Sequence, residues 1–522
     1  MLIKHNKKSK KMKKSIIFLA MFAMSFAFAN AQTLDRSIQP KAAPANEIKI
    51  KDAQTFVLDN GLKVFVVEDH KLPQVLYSFS FDIDPEIYRE KAGVIDLFSE
   101  VAGKATKNRA KDELNQEFDL IGANFSFSNT GGYVKGLTKY SKKMIELFAD
   151  VLLNPVFTEE EFDLAKSQIA SGLAYISTDA AQMMQIVSQI LVNGKEHPHG
   201  EVVTPETLKN ITVADVEEYY DTYIAPNNTR LVIVGDITLA QAKAEVTKHF
   251  GNWAKREVPS YKYELPQAPG KVRVAFINKK DAAQSEIKIC YPLDYKPYGN
   301  GNGNFDAALM AHILGGGASG RLFQNLRETH SYTYGCYNNL IPDDVVGYYS
   351  AQASVRGEVT DSAINQIIIE MNKIVDSGVS EKDIDAAKAF FMGDFGRGLQ
   401  NPATVAQFAV AIEKYNLPAD FFKNYLKKLE SVTIEEVGAA AKKYIHPNNA
   451  WIIVVGDEKY ATNLKQFATD GNVEFYDMYG NLTETPSNNC DCTMYYLAGA
   501  VVVLLIIFVY LRLSSPKRKR RK

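Results

Sequence analysis

Cysteine is scarce: the chain has four in 522 residues. That excludes a disulfide-dense scaffold. Cys290 and Cys336 are expected as single buried thiols. Cys490 and Cys492 are too close in sequence to staple a core, and could pair between chains or stay reduced. Compositional bias is also lacking. With 46% hydrophobic and 23% charged residues, the chain is not disordered, collagen-like or fibrous. Acid is missing from both ends. Residues 1–31 hold seven lysines and residues 494–522 hold seven Lys or Arg, with no Asp or Glu in either stretch. The formal net charge of −1 therefore hides a body of 46 basic against 61 acidic residues, a net of −15. An acidic body argues against nucleic acid as a partner. The length is enough for two large domains or more than two ordinary ones.

The ends read as addresses. The N-terminal lysines precede an apolar run, IIFLAMFAMSFAFA, closed by Ala29-Asn30-Ala31. This pattern predicts a secretory signal peptide over residues 1–31, with an uncleaved anchor as the alternative. Met12 would also start it. Residues 493–511 are uncharged and long enough to cross a bilayer as a helix, and the basic tail 512–522 would hold the cytoplasmic side. The expected placement is an exported, periplasmic or extracytoplasmic body anchored to the membrane through a C-terminal helix. A nuclear-localisation reading of KRKRRK is the rival.

The body is duplicated. YIAPNNTRLVIVGD (223–236) recurs as YIHPNNAWIIVVGD (444–457), at an offset of 221. Thr212–Val216 matches Thr433–Val437 at the same offset, and FTEEEFDLAK (157–166) matches VSEKDIDAAK (379–388) at 222. Anchors at one offset imply two homologous domains of about 220 residues, 48–255 and 271–475. The Pro-rich stretch 256–270 reads as a linker, and 476–492 as a tail linker. TFVLDNGLKVFVVED alternates around Asn60-Gly61, a hairpin signal. AAQMMQIVSQILV and AINQIIIEMNKIV carry apolar residues at helical spacing. RLVIVGD and WIIVVGD read as buried strands. Hairpins interspersed with helix runs predict an α+β fold with antiparallel sheets.

The hairpin LDNGLKV, the two PNN-then-VGD segments and the block GGGASGRLFQNLRE together resemble the insulinase/pitrilysin family of zinc peptidases. Within it they resemble the branch that includes mitochondrial processing peptidase. The resemblance covers about residues 48–475 and implies the two-domain metallohydrolase fold of that family. Active members carry His-x-x-Glu-His on the first long helix: two imidazoles hold zinc and the Glu is general base to the bound water. Here the matching positions are Asp96, Ser99 and Glu100, so both imidazoles and the base are gone. The stretch that should supply the last ligand reads Ser171-Gly172. No metal is expected on this chain. Asp96 and Glu100 at i,i+4 leave a second reading, a weak carboxylate site for another metal. Of the eight histidines (His5, His70, His197, His199, His249, His312, His330 and His446), no two have i,i+4 spacing. The Gly315–Gly317 run lacks the Lys-Ser/Thr of a phosphate loop.

The resemblance also implies functional residues in the second domain. Arg327 would grip substrate backbone and Tyr334, seven residues on, would donate to the developing oxyanion. Tyr332 competes with Tyr334 for that role, and a plain helix end with core tyrosines is the alternative. GANFSFSNTGGYVKG (122–136) would be the edge strand that receives a peptide as an added strand, with Phe125 and Phe127 on one face as substrate-binding side chains. An ordinary core strand is the equal contender. The resulting expectation is the zinc-free partner of a zinc-bearing subunit, supplying Arg327 and Tyr334 in trans to peptide hydrolysis. A non-catalytic peptide-binding or scaffold protein and a divergent self-sufficient metallopeptidase are the other two readings.

Overall fold

The computed structural model describes residues 50–484 except 51 and 302. Each half builds one six-stranded sheet. The first lobe has strands β1 (Gln54–Val57), β2 (Lys63–Glu68), β3 (Gln74–Phe81), β4 (Asn124–Ser128), β5 (Gly131–Leu137) and β6 (Thr229–Gly235). Its helices include α1 (Val94–Val101), α2 (Ser141–Leu153), α3 (Glu159–Ile176), α4 (Ala180–Asn193) and α5 (Val213–Tyr223). The second lobe has β7 (Arg273–Asn278), β8 (Gln284–Leu293), β9 (Thr333–Ile341), β10 (Gly347–Arg356), β11 (Trp451–Gly456) and β12 (Val473–Tyr476). Its helices include α6 (Phe305–Gly315), α7 (Thr360–Ser377), α8 (Glu381–Gly398), α9 (Pro402–Lys414) and α10 (Ile434–Tyr444).

The strand orders are β1-β2-β6-β3-β5-β4 and β9-β10-β8-β11-β7-β12. Read in opposite directions, five strands correspond one to one. The sixth differs: β1 precedes β2 and pairs with it antiparallel, whereas β12 ends the second lobe and lies parallel to β7. The sheets are mixed rather than antiparallel throughout, because β2–β6 and β7–β11 are also parallel. Long helical crossovers separate those partners, as parallel pairing requires.

The repeat is visible in individual bonds. Thr212 and Thr433 form capping boxes with Asp215 and Glu436 at the starts of α5 and α10, satisfying helix N–H groups that would otherwise lack partners. Lys166 Nζ on α3 donates to the carbonyls of Lys209 and Ile211, and Lys388 Nζ on α8 donates to Glu430 O. One sheet face in each lobe packs on that lobe's own helices. The other face is covered by a helix from the opposite lobe. Met183, Met184 and Val187 of α4 pack on Ala275, Ile277, Cys290 and Ile453 of the second sheet. Val405 and Ala406 of α9 pack on Phe65, Val67, Val232 and Val234 of the first. A charged cluster follows the same exchange: Glu413 on α9 pairs with Lys63 and with buried Arg230, and Lys414 reaches Asp82.

Cys290 and Cys336 are buried free thiols. Among the described residues no helix is long and apolar enough to cross a membrane. That finding stands against the expected anchoring to the membrane through a C-terminal helix, and so against the membrane-anchored placement. The expected signal peptide 1–31, the stretch 493–511, the tail 512–522 and Cys490 and Cys492 lie outside the described residues.

Candidate functional site

Helix α1 starts at Gly93, whose φ is +110°. A Cβ there would come within 2.9 Å of a Val203 methyl, so both backbone and space demand glycine. Val94, Leu97, Phe98 and Val101 bury one stripe of the helix. Asp96 and Glu100 are exposed on the other, with Ser99 half-buried between them. Surrounding protein pushes the Asp96 carboxyl upward in pKa, and the charge of Glu100 adds to that. Ser99 Oγ lies 2.9 Å from Ile95 O and 3.0 Å from Asn129 Oδ1, and accepts the Asn129 N–H at 3.3 Å. The residue at the expected position of the general base is thus bonded to the β4–β5 turn. On α3, Ser171 Oγ donates to Ser167 O at 2.8 Å, and a Cβ at Gly172 would meet no atom within 4 Å. Among the described residues no three His, Cys, Asp or Glu side chains converge as a metal site. The two carboxylates on α1 therefore have no third donor beside them.

The edge strand is at the end of its sheet as expected of 122–136, since β4 pairs only with β5. Its phenylalanines need a correction. Phe127 is buried and meets Phe81, Phe98 and Phe148 edge-on, while Phe125 stacks on Phe118 with ring centroids 4.0 Å apart. Phe127 belongs to the first lobe's core, and the half-buried Phe125 packs against it. Alternation along the strand turns them inward, so only the main chain of β4 remains for a substrate.

In the second lobe Arg327 lies on a π-helical turn, Gln324–Thr329, in which the His330 N–H reaches back five residues to Asn325 O. Asn325 Nδ2 donates to Glu370 Oε1 of α7 at 2.7 Å, and Lys373 Nζ reaches the same carboxylate at 2.8 Å. Arg327 Nη1 donates to Tyr334 O at 3.2 Å, with its guanidinium over the Phe323 ring. Its contact with Glu328 is 3.5 Å and half-exposed, so it holds the side chain weakly. Tyr334 is 86% exposed. Tyr332 instead stacks on His330 and packs against the core. That leaves Tyr334 as the phenol offered to solvent. Among the described residues no hydrogen bond or ion pair joins Arg327 or Tyr334 to Asp96, Ser99 or Glu100.

The histidines serve contacts away from α1. His199 Nε2 is 3.1 Å from Asp343, linking the lobes. His70 pairs with Asp236, and His312 stacks on Phe390. Sequence reading missed Glu370 and Asn325. The signal for Glu370 was an acid between Ile367, Met371 and Ile374 on the apolar stripe of α7, where an unpaired carboxylate is costly.

Two family models match the chain: "Insulinase (Peptidase family M16)" over residues 88–194 and "Peptidase M16 inactive domain" over 210–391. Among curated proteins, an uncharacterized zinc protease of Rickettsia felis is 24% identical over 57% of this chain and 72% of its own length. The "Non-peptidase homolog YmxG" of Helicobacter pylori is 20% identical over 77% of this chain and 93% of its own. Among solved structures, a peptidase M16 inactive domain from Pseudomonas fluorescens superposes with a TM-score of 0.70 at 21% identity, covering 78% of this chain and 98% of that one. A protease from Helicobacter pylori gives 0.71 at 16% identity, covering 78% and 100%. With matches spanning more than half of its residues and a fold shared over nearly all the described body, the chain belongs to the insulinase (peptidase M16) family.

Proposed function

We propose that this chain is a non-catalytic member of its family that holds peptides and presents them to a zinc-bearing relative. The observation that carries the reading is an asymmetry. The helix that should hold zinc offers Asp96, Ser99 and Glu100, with Ser99 tied into a turn. The second lobe keeps Arg327 half-exposed and Tyr334 exposed, side by side. A guanidinium can fork two donors onto peptide carbonyls, and a phenol can donate to an oxyanion formed at a metal held by another subunit. The main chain of edge strand β4 supplies the matching surface for an extended peptide. The name of the Helicobacter pylori relative supports the absence of independent peptidase activity.

The test is reconstitution. Purified chain with added zinc should not hydrolyse an unfolded peptide. Mixed with a family member from the same genome that carries an intact His-x-x-Glu-His, it should raise turnover, and Arg327→Ala and Tyr334→Phe should each lower that gain about tenfold to a hundredfold. Chelator-sensitive turnover by the chain alone would reject the proposal. A gain unchanged by both substitutions would favour a purely scaffolding role.

A further inference from the structure

The second sheet hides a charged residue that nothing above uses. Along β8, odd-numbered Ile287, Ile289 and Tyr291 enter the second lobe's core, and the even-numbered residues face α4 of the first lobe. On that face lies Lys288, only 5% exposed. Its Nζ donates to Gln185 Oε1 and Ser188 Oγ of α4, each at 3.2 Å. Both partners are neutral, and no carboxylate among the described residues comes within 4 Å of it. Burying an ammonium without an anion is unfavourable, and the neighbours on this face are Ala275, Ile453, Cys290 and Met184, any of which shows what a merely packed position would hold. An ammonium has three donors, so one is left over.

The space beside Lys288 is a cavity of about 360 Å3 between α4 and three strands. Cross-strand pairing builds its floor. Lys288 sits opposite Gln352, Glu286 opposite Ser354, and Gln352 also opposite Tyr337. Glu286 is half-buried on the same face two residues from Lys288. Burial pushes its carboxyl up and the Lys288 ammonium down in pKa, which marks both as groups short of solvent. The cavity reaches Gly335, the residue after Tyr334.

The geometry points to this cavity as a site for the C-terminal residue of a peptide, its carboxylate on Lys288 and its amide N–H on Glu286. Lys288 and Glu286 are alternate residues of one strand and so line the cavity from one face, and the last residue of a peptide carries its carboxylate and its backbone N–H on a single Cα. A simple anion would gain from Lys288 but would be repelled by Glu286; a peptide end satisfies both. The inference rests on the peptide-holding reading above, and gives it a polarity: chain ends would enter beside Tyr334.

The probe is a short unstructured peptide with an N-terminal fluorophore, made with a free C-terminal carboxylate or as the amide. Fluorescence anisotropy with the full chain should show the acid binding about tenfold or more tighter than the amide. Lys288→Met, close in shape and suited to the apolar neighbours, should reduce the acid to the affinity of the amide. Equal binding of acid and amide to the unaltered chain overturns this inference and leaves the peptide-holding reading standing. No binding of either overturns both. A preference for the acid that survives Lys288→Met in a folded variant also overturns the assignment to Lys288.

Discussion

The two lobes share five strands in one order, the same capped helices and even the same lysine-to-carbonyl bonds, yet they treat their first long helix differently. In the first lobe α1 keeps a polar stripe of Asp96, Ser99 and Glu100, and α3 leaves open space at Gly172. In the second lobe α6 is buried over most of its surface, and His312 stacks on Phe390 and meets Phe391 edge-on, both on α8. A duplicated backbone thus carries a polar stripe open to solvent in one copy and a helix covered by aromatic rings in the other.

The buried acids make the same point on equivalent helices. Asp150 on α2 binds Arg109, Thr106, Asn108 and Asn154, and so fixes the segment following α1. Glu370 on α7 binds Asn325 and Lys373, and so fixes the turn that presents Arg327. One acid holds the segment after α1, and the other holds the π-helical turn on which Arg327 sits.

The largest expected effect is at Asp150. Asp150→Ala removes one of the three carboxylates that hold the Arg109 guanidinium and takes the shared acceptor from three polar side chains, and should cost about 3 kcal/mol in denaturant unfolding. A loss under about 1 kcal/mol would show that the first lobe does not depend on this network. Next is the polar stripe of α1. Asp96→His, Ser99→Glu and Glu100→His together should bind zinc at least about a hundredfold tighter than the unaltered chain by titration calorimetry, because α1 already presents those positions on one stripe. No gain would mean that the helix no longer has the family's geometry. The smallest effect is at the lobe contact. Burial alone would raise the Asp343 carboxyl, but His199 and the N–H groups of Val346 and Val345 outweigh it and hold it far below its usual 3.8. A depressed carboxyl stabilises the fold above its unfolded pKa and loses that contribution as pH falls through 3.8 toward the folded value. Asp343→Asn should therefore cost about 1 kcal/mol at pH 7, discounted for a side chain more than a third exposed. The difference should shrink below about pH 4 in pH-dependent melting curves.

Local signals were legible where neighbours in sequence are neighbours in space. The Asn60-Gly61 turn, the capping threonines Thr212 and Thr433, and the buried strands ending Gly-Asp depend on short-range geometry that residue type controls. Phe125 and Phe127 were misread as substrate-binding because alternation places them on one face without saying which face meets the core. The C-terminal anchor was inferred from the length of an uncharged stretch and the basic tail after it, and no helix among the described residues provides one.

Residue order alone carried the duplication and the mixed helix-and-strand content of each lobe, since both need only residue identities at fixed spacing. Tertiary structure decided the exchange of α4 and α9 between lobes, the inward turn of Phe125 and Phe127, and the choice of Tyr334 over Tyr332 as the exposed phenol. It also decided the burial of Lys288 under a helix about a hundred residues away. These outcomes turn on which apolar faces meet across long stretches of chain, and contact between distant surfaces leaves no periodic trace in a single sequence.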